Sequence, residues 1–243
     1  MSNAKGGPAF LVPGTRVGAY VVRGCIGMGS GSFVYEVESE LGGHYALKLS
    51  HHLPDEGSSS SREMDERFTR NIICLEQLRA VRWVARIVAH DRYPDPRFGQ
   101  QYLVQELVPG GVTITQWARL TSPSLRTITT VFKHLAEACE EMHLAGIRNR
   151  DLKPENILMT PDGEPRLIDF NSAIWRRAPQ LTPASADDIP TTDGYQPPEM
   201  CEAILREKET GQGEAFAWTP AADLHALGVI FYELLTGAHP SSR

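Results

Sequence analysis

The pattern of apolar and polar residues divides the chain into a first part rich in strands and a second part rich in helices. From Val17 to about Leu49, apolar and polar residues alternate in the runs AYVVRGCIGMGS, SFVYEVESE and HYALKLS. This alternation predicts half-buried strands, and the glycine-containing turns between them favour an antiparallel meander. The later run QYLVQELVPGG predicts another buried strand that ends in a turn.

Helical spacing begins after the polar run PDEGSSSSR, which predicts a flexible connection. The first helix is predicted from the apolar residues Phe68, Ile72, Leu75 and Leu78. A second helix ends near Gly146, and its apolar face consists of Ile128, Phe132, Leu135, Cys139 and Met142. The last predicted helix has Thr219 as its N-cap, Pro220 in its first turn and Gly237 past its end.

These elements predict an α+β fold with a β-rich N-terminal lobe over residues 17–108 and a mostly helical C-terminal lobe over residues 109–243. The opening residues 1–16 are predicted to form a disordered tail or to be a vector-derived remnant, because they start with the small and polar run MSNAKGG.

Composition narrows the class of protein. Hydrophobic residues make up 41% of the chain and charged residues 22%, as in ordinary globular proteins. A net charge of −6 argues against nucleic acid as a partner.

The four cysteines are scattered, which favours reduced thiols in a cytoplasmic protein. We expect no membrane segment, because the longest apolar run, around Leu227 to Leu235, is too short to span a bilayer. We also expect no signal peptide, because no apolar h-region follows Met1.

The glycine-rich run GMGSG, Gly27 to Gly31, is the first feature that suggests chemistry. Glycines let backbone N–H groups approach a phosphate closely, although the same run also suits a flexible hairpin turn. A dinucleotide-binding fingerprint requires a helix directly after the glycines. Here FVYEVE alternates like a strand, so a glycine hairpin folded over a nucleotide fits better.

Lys48 is the second such feature, because it lies among apolar residues in the strand-like run YALKL. A buried ammonium group is costly unless an anion accompanies it. Lys48 is therefore a candidate partner for an anionic ligand. The alternative is that its side chain extends to the surface.

Acidic and amide side chains form the third feature, in IRNRDLKPENIL and in RLIDFN. Asn156 and Asp169 are candidate Mg²⁺ ligands, because this ion prefers oxygen ligands from one or two protein groups plus substrate phosphates. Asp151 is then left to accept a proton from a hydroxyl. Taken singly, each acid also suits a helix cap or a turn.

These motifs together resemble the protein kinase family, in particular the bacterial-type serine/threonine kinases, from Tyr20 to about Pro240. The glycine-rich loop, the strand lysine, the RDLKPEN loop, DF and PPE occur in the family's order. The resemblance implies the cofactors ATP and Mg²⁺, and a protein substrate with a Ser or Thr acceptor. The chain itself is a candidate acceptor through autophosphorylation.

The resemblance also implies a role for each matching residue. The implied catalytic residues are Asp151, Lys153 and Lys48, and the implied metal ligands are Asn156 and Asp169. The implied nucleotide-binding residues are Ile26, Gly27, Gly29, Val34, Ala46, Lys48, Glu106, Val108 and Leu158. Gln105 takes the gatekeeper place at the start of the implied hinge. Lys153 resembles a lysine that serine/threonine kinases direct at the γ-phosphate.

Four positions depart from the family pattern. Ser32 stands where the third glycine usually falls, Asn149 replaces the histidine of HRD, and Asn171 replaces the glycine of DFG. At this last position asparagine is one of the few residues that tolerate positive φ. Asn71 stands where a helix glutamate normally pairs with the strand lysine. Substitutes for that glutamate are available at Glu63, Glu66 and Glu76.

The activation segment implied by the resemblance runs from Asp169 to Glu199. Arg150 is expected to pair with a phosphate group on this segment. The residue that carries the phosphate is expected to be Thr182, Ser185 or Thr191. Thr192 is not among them, because it aligns with a threonine that faces the substrate.

The family's C-terminal lobe normally continues past TGAHP, so we expect either a fragment of a longer protein or a shortened fold. With those C-terminal helices missing, Glu199 is expected to lack its usual arginine partner. Two functions therefore stay open: an active serine/threonine kinase, or a pseudokinase that binds nucleotide or acts as a scaffold.

Overall fold

The computed structural model describes residues 10–29, 31–51, 59–175, 191–211 and 216–242. The chain divides into two compact units. The first takes in Met1–Glu76 and Ala85–Val108, and the second takes in Gln77–Val84 and Pro109–Arg243. Residues 77–84 therefore group with the second unit, whereas the sequence assigned them to the N-terminal lobe.

The first unit contains a six-stranded antiparallel sheet with the strand order β1-β2-β3-β4-β6-β5. Its strands are β1 (Arg16–Val17), β2 (Tyr20–Met28), β3 (Ser32–Ser39), β4 (His44–Ser50), β5 (Ile87–Tyr93) and β6 (Gln100–Glu106). The predicted meander is confirmed in β2, β3 and β4, which pair in chain order. The predicted strand QYLVQE is confirmed as β6.

One face of this sheet is the apolar core of the first unit. Its fully buried side chains include Val22, Tyr35, Val37, Leu47, Leu49 and Val104. Leu11 packs on the same core, and its N–H donates to the Tyr35 hydroxyl at 3.1 Å. The prediction of a disordered tail is therefore wrong for residues 10–16. Leu11 lies in the short apolar run AFLV, but the core that it packs on is formed by residues farther along the chain, so this packing was not predicted.

Helix α1 (Ser59–Gln77) packs beside the sheet through polar contacts. Gln101 Nε2 donates to the Asp65 carbonyl at 2.9 Å, and Arg92 pairs with the Asp65 carboxylate at 3.1 Å. The predicted apolar positions are confirmed as buried: Phe68, Ile72, Leu75 and Leu78. The flexible connection was predicted too long, because Ser59 to Arg62 already belong to the helix. Residues 52–58 lie outside the described part of the chain.

The second unit is mainly helical, with α2 (Ile114–Thr121), α3 (Leu125–Leu144), α4 (Pro198–Thr210) and α5 (Pro220–Thr236). Its short strands are β7 (Val112–Thr113), β8 (Ile147–Arg148), β9 (Ile157–Met159), β10 (Pro165–Leu167) and β11 (Ile174–Trp175). They form a three-stranded sheet in the order β10-β9-β7 and a pair of β11 with β8. Short 3-10 helices span Pro154–Asn156 and Pro240–Ser242. The α+β fold class predicted from the sequence is confirmed.

The two long helices of this unit follow the predicted pattern. In α3, the predicted face is buried except for Phe132, which is half-buried and lies against Phe231 with ring centroids 4.1 Å apart. Helix α5 starts after Thr219, although the Thr219 side chain makes no capping hydrogen bond. It ends at Gly237, whose φ of 72° suits glycine.

The cysteines of the chain are reduced, and two of them are buried. All four cysteines are free, and burial raises the pKa of the Cys74 and Cys139 thiols to about 12. Those two thiols are therefore protonated at neutral pH. Among the helices that the structure describes, none is sufficiently long and apolar to cross a membrane.

Candidate active site

The polar loop of the second unit is fixed at both ends by apolar residues. Ile147 in β8 and Ile157 in β9 are fully buried, and Leu152 within the loop is 2% exposed. Burial of these three side chains holds the intervening polar residues in a defined conformation. This matters because misplacing a catalytic group by about 1 Å can lower a rate by about a hundredfold.

Asp151 is held by hydrogen bonds at both of its carboxylate oxygens. Lys153 Nζ donates to Oδ2 at 2.8 Å, and Thr192 Oγ1 donates to Oδ1 at 2.7 Å. Lys153 Nζ also donates to Thr192 Oγ1 at 2.8 Å, which closes a triangle of three side chains. An ammonium group has three N–H donors, so two are used here and one remains for a further acceptor. The triangle joins the loop to the segment that contains Thr192.

Asn156 and Asp169 lie at neighbouring positions of the second unit. The Ile168 N–H donates to the Asn156 carbonyl at 3.1 Å, and Asp169 follows directly. Asn156 is 8% exposed, and its Nδ2 donates to the Asp151 carbonyl at 2.9 Å. With Nδ2 engaged in this way, Oδ1 is the atom that Asn156 offers to a cation.

Asn171 orients the Asp169 carboxylate. Its N–H donates to Oδ1 at 2.9 Å, and its Nδ2 lies 3.4 Å from Oδ2. The interpretation that asparagine serves here by tolerating positive φ is wrong. Among the described residues other than glycine, only Ser122 and Arg150 have positive φ. Asn171 instead supplies amide donors that glycine lacks.

The donor set suits a hard cation such as Mg²⁺. One carboxylate and one amide oxygen are available from Asp169 and Asn156, and such ions complete their coordination with phosphate oxygens and water. In the part of the chain that the structure describes, no group of three or more His, Cys, Asp or Glu residues forms a metal-binding cluster.

Asp223 is a site residue that the sequence analysis missed. It is 1% exposed in α5, and its carboxylate accepts hydrogen bonds from the N–H groups of Asn149 and Arg150 at 2.9 and 3.0 Å. Trp218 Nε1 donates to it at 2.9 Å, and His143 Nε2 lies 2.8 Å away. The available signal was a single acid near the start of the apolar run AADLHALGVIFYELL.

These bonds stabilise an unusual backbone conformation at Arg150. Its φ of 69° lies in the left-handed region, which is unfavourable for a side chain of this size. The Arg150 guanidinium is buried, and its Nε donates to the Ser172 carbonyl at 2.7 Å. Arg150 thereby links the loop to the segment that follows Asp169. The expected pairing of Arg150 with a phosphate stays a prediction, and Thr182 and Ser185 lie outside the described residues.

In the first unit, several predicted nucleotide-binding residues share one face of the sheet. Val34 is directly opposite Lys48, and Ala46 is directly opposite Gln105. Residues opposite each other across a ladder point to the same face, and alternate residues of one strand do so too. Leu47, which lies between Ala46 and Lys48, points to the opposite face of the sheet and packs in the apolar core. Lys48 is 9% exposed there.

The glycine-rich turn connects β2 to β3. The Gly29 N–H donates to the Ser32 carbonyl at 2.9 Å, while Ile26 is 51% exposed. A Cβ atom at Gly27 would lie 3.6 Å from Val34 Cβ, and one at Gly29 would lie 3.9 Å from the Ser32 carbonyl oxygen. Packing within the protein therefore does not require glycine at either position. The room beside the Cα atoms of Gly27 and Gly29 lets a ligand approach the backbone closely.

The remaining nucleotide-binding candidates lie near the ends of strands. The Glu106 N–H donates to the Arg86 carbonyl at 2.9 Å. Val108 is 5% exposed, and its N–H has no hydrogen-bond acceptor among the residues that the structure describes. In the second unit, Leu158 is half-buried and points away from the interior that its neighbour Ile157 enters.

Asn71 is fully buried in α1, in contrast to the glutamates that were considered as substitutes. Glu63 and Glu66 are exposed. Glu76 is half-buried, with its Oε1 3.7 Å from His90 Nε2. The inward-facing position on this helix is therefore the one occupied by Asn71, which supports the predicted alignment.

Comparison with known proteins agrees with these motifs. The sequence matches the family model of the protein kinase domain over residues 20–243. It is 30% identical over 230 residues to serine/threonine-protein kinase PknA of Mycobacterium tuberculosis, covering 93% of this chain and 48% of PknA. It is 29% identical over 229 residues to serine/threonine-protein kinase PknL of the same species, covering 91% and 50%.

A eukaryotic relative is also similar. Serine/threonine-protein kinase PKZ1 of Phytophthora infestans is 28% identical over 255 residues, which cover 96% of this chain and 58% of PKZ1. The chain thus spans about half the length of the curated relatives it matches.

Proposed function

Because the chain belongs to the protein kinase family, we propose that the protein is an ATP-dependent serine/threonine kinase. It transfers the γ-phosphoryl group of ATP to Ser or Thr hydroxyls of proteins. Since the chain spans about half the length of its relatives, the activity and substrates of the whole protein are part of this proposal. The observation that carries it is the fixed triangle of Asp151, Lys153 and Thr192.

In this proposal, Asp151 orients the acceptor hydroxyl and accepts its proton. A carboxylate has about four lone-pair sites, so the bonds from Lys153 and Thr192 still leave room for a hydroxyl. The remaining N–H of Lys153 binds a phosphate oxygen and balances the charge that develops during transfer. Thr192 fixes both groups and thereby sets the direction from which the substrate approaches.

Asn156 and Asp169 hold Mg²⁺ in the proposed complex, which fits their oxygen donors and their hydrogen-bonded orientation. When bound, Mg²⁺ neutralises charge on the nucleotide phosphates. Lys48 pairs with the α- and β-phosphates in the proposed complex, because it carries a positive charge on the same sheet face as Val34 and Ala46. The turn of Gly27 and Gly29 covers the phosphates with its backbone.

The adenine is proposed to bind beside the same sheet face. Ile26, Val34 and Ala46 of the first unit supply apolar surface. Leu158 of the second unit stays a separate predicted nucleotide contact. The backbone of Glu106 and Val108 supplies hydrogen bonds. Among the described residues, no group accepts a hydrogen bond from the Val108 N–H, which leaves this donor available to adenine.

A pocket beside the loop offers a place for the protein substrate. It has a volume of about 370 Å³, and its lining includes Glu155, Tyr195 and Glu233. The Tyr195 hydroxyl donates to both oxygens of Glu233, at 3.1 and 2.9 Å. Burial and this carboxylate raise the pKa of Tyr195, so the hydroxyl stays protonated. We propose that this pocket binds the part of the protein substrate that neighbours the acceptor Ser or Thr.

The test of the proposed function is transfer of radiolabelled phosphate from ATP to protein in the presence of Mg²⁺. Label on Ser or Thr supports the proposal. Nucleotide binding without any transfer supports the second candidate, a pseudokinase or scaffold module. That candidate is favoured by one observation, the neutral and fully buried Asn71 at the place of the usual glutamate.

The substitution Asn71→Glu is expected to raise turnover with ATP by about tenfold. A glutamate at this inward position adds charge attraction to Lys48, and hydrogen bonds to charged groups are worth about 1.5–3 kcal/mol. Initial rates of the two proteins at saturating ATP provide the measurement. The variants Glu66→Gln and Glu76→Gln are the controls. If Asn71→Glu has no effect while one of the glutamine variants is inactive, another glutamate holds Lys48 and the alignment of α1 is wrong.

Phosphorylation of the activation segment is a further expected outcome. After incubation with ATP and Mg²⁺, we expect phosphate on Thr182, Ser185 or Thr191. A phosphate there adds charge that Arg150 pairs with, which orders the segment. Phosphopeptide mapping by mass spectrometry is the measurement, with Asp151→Asn as the control that lacks autophosphorylation. Complete coverage of the segment without any modified residue would rule out this prediction.

A further inference from the structure

Four polar side chains join helix α1 to the two strands at one edge of the six-stranded sheet. On α1 these are Asp65 and Thr69, which lie about one helical turn apart. On the strands they are Arg92 of β5 and Gln101 of β6, which are directly opposite each other in the ladder. We call these four residues the polar cluster. All four belong to the first unit.

Hydrogen bonds of ordinary length hold the polar cluster together. Gln101 is 6% exposed, and its Nε2 donates to the Asp65 carbonyl at 2.9 Å and to the Thr69 hydroxyl at 3.0 Å. A primary amide has two N–H donors, so both bonds form together. Arg92 donates to the Asp65 carboxylate at 3.1 Å and to the Gly99 carbonyl at 3.0 Å. One guanidinium group therefore joins the helix to the residue that precedes β6.

The polar cluster determines the position of α1 more narrowly than apolar packing does. Phe68 and Ile72 of α1 are buried, but the free energy of hydrophobic burial depends on the area removed from water and not on direction. A hydrogen bond weakens steeply when its length or its angle changes. The bonds from two strands to Asp65 and Thr69 therefore fix both the rotation of the helix and its height on the sheet.

The charge at Asn71 differs from the protein kinase pattern, which has a helix glutamate there that pairs with the strand lysine. Asn71 is fully buried and neutral, so it adds no charge attraction between α1 and Lys48. Asp65 lies about 9 Å further back along the same helix, and its carboxylate pairs with Arg92. In this chain a charged contact between α1 and the sheet is therefore present at the sheet edge.

We propose that the polar cluster holds α1 in its working position on the sheet and thereby takes over the positioning role of the lysine–glutamate pair. The inference rests on the proposed kinase function. The four members are positioning residues, because they contact neither ATP nor the protein substrate in this account. The cluster fixes the helix but adds no charge at Asn71.

The first test is hydrogen exchange at backbone amides, which requires no enzymatic activity. The double variant Arg92→Met with Gln101→Leu removes the polar groups that the strands contribute and keeps apolar side chains in their place. Amides of α1 between Phe68 and Leu75 are expected to exchange about tenfold faster, because local opening of the helix then costs less free energy. The amides of β3 are expected to be unchanged, because β3 lies between β2 and β4 and away from this sheet edge.

The second test is a double-mutant cycle that combines the double variant with Asn71→Glu, with initial rates measured at saturating ATP. The double variant is expected to lower kcat by about tenfold. Asn71→Glu is expected to raise kcat by about tenfold in the wild type and by about a hundredfold in the double variant. The gain is larger there because the added lysine–glutamate pair positions α1 again, so that the polar cluster is no longer needed.

The matched control is Arg16→Met in β1, which the other four strands separate from β5 in the sheet. Arg16 pairs with Glu40 at 2.9 Å, and both side chains are exposed. This variant removes the same chemical group from a salt bridge of the same sheet, and it is expected to match the wild type in exchange and in rate. If the double variant does not fold, as judged by its melting curve, Gln101→Leu alone replaces it in both tests.

The outcomes separate this inference from the proposed function. If the wild type does not transfer phosphate, the kinase proposal fails, while hydrogen exchange still tests whether the polar cluster fixes α1. If the wild type is active and the double variant keeps the wild-type exchange in α1, the cluster does not fix the helix and the inference is wrong. If α1 exchanges faster but Asn71→Glu raises kcat equally in both backgrounds, the cluster only stabilises the helix, and its replacement of the lysine–glutamate pair is overturned.

Discussion

The substitution Asp151→Asn is expected to lower the rate of phosphate transfer to protein by about a hundredfold or more. The asparagine keeps the size of the side chain and can still accept a hydrogen bond. It cannot take up the hydroxyl proton, and it loses the charge that holds Lys153 at 2.8 Å. Initial rates with radiolabelled ATP and Mg²⁺ provide the measurement.

A matched control for this experiment is Asp162→Asn, in the exposed turn between β9 and β10. It removes one acid without touching the loop and should leave the rate unchanged. The melting temperature of each variant shows whether the fold is retained. Equal rates for the wild type and Asp151→Asn would assign the activity to a contaminant and favour the pseudokinase.

The substitution Asp223→Ala is expected to destabilise the protein by about 3–5 kcal/mol and to abolish transfer. Removing this buried carboxylate leaves the N–H groups of Asn149 and Arg150 without their acceptor, and each unsatisfied buried donor costs about 1–3 kcal/mol. Trp218 and His143 lose a partner as well. The left-handed backbone of Arg150 also loses its support.

Urea denaturation measures this loss of stability. Asp223→Asn is the matched variant, because its amide keeps one oxygen acceptor and the original size, so a smaller loss is expected. An Asp223→Ala variant with the stability and rate of the wild type would show that other acceptors satisfy these donors. Asp223 would then have no organising role in the loop.

Local patterns were sufficient for much of the fold. Leu47 and Leu49 alternate with polar or small residues, so a half-buried strand was the expected result, and both side chains are fully buried. The last helix was predicted from Pro220 and Gly237, which mark its start and its end by backbone preference alone. In these cases, the residues that determine the local structure lie within a few positions of the element that they predict.

Contacts between distant residues were not predictable in the same way. Asp223 binds the N–H groups of Asn149 and Arg150, more than 70 positions away in the chain. A single acid in an apolar helix does not specify such partners. Leu11 was missed for the same reason, because its acceptor is the hydroxyl of Tyr35.

The role of Asn171 illustrates a different limit. Its replacement of glycine suggested a backbone with positive φ, but the φ of Asn171 is not positive and the side chain binds Asp169 instead. A family pattern gives the position of a residue. It does not give the contact that a new side chain makes there.

The most direct test of the kinase assignment is phosphoamino-acid analysis after incubation of the purified protein with γ-labelled ATP and Mg²⁺. We expect label on serine or threonine of protein, either a supplied substrate or the chain itself. We expect no label in the Asp151→Asn variant or when the metal is chelated. A protein that binds ATP but leaves serine and threonine unlabelled after prolonged incubation would contradict the account.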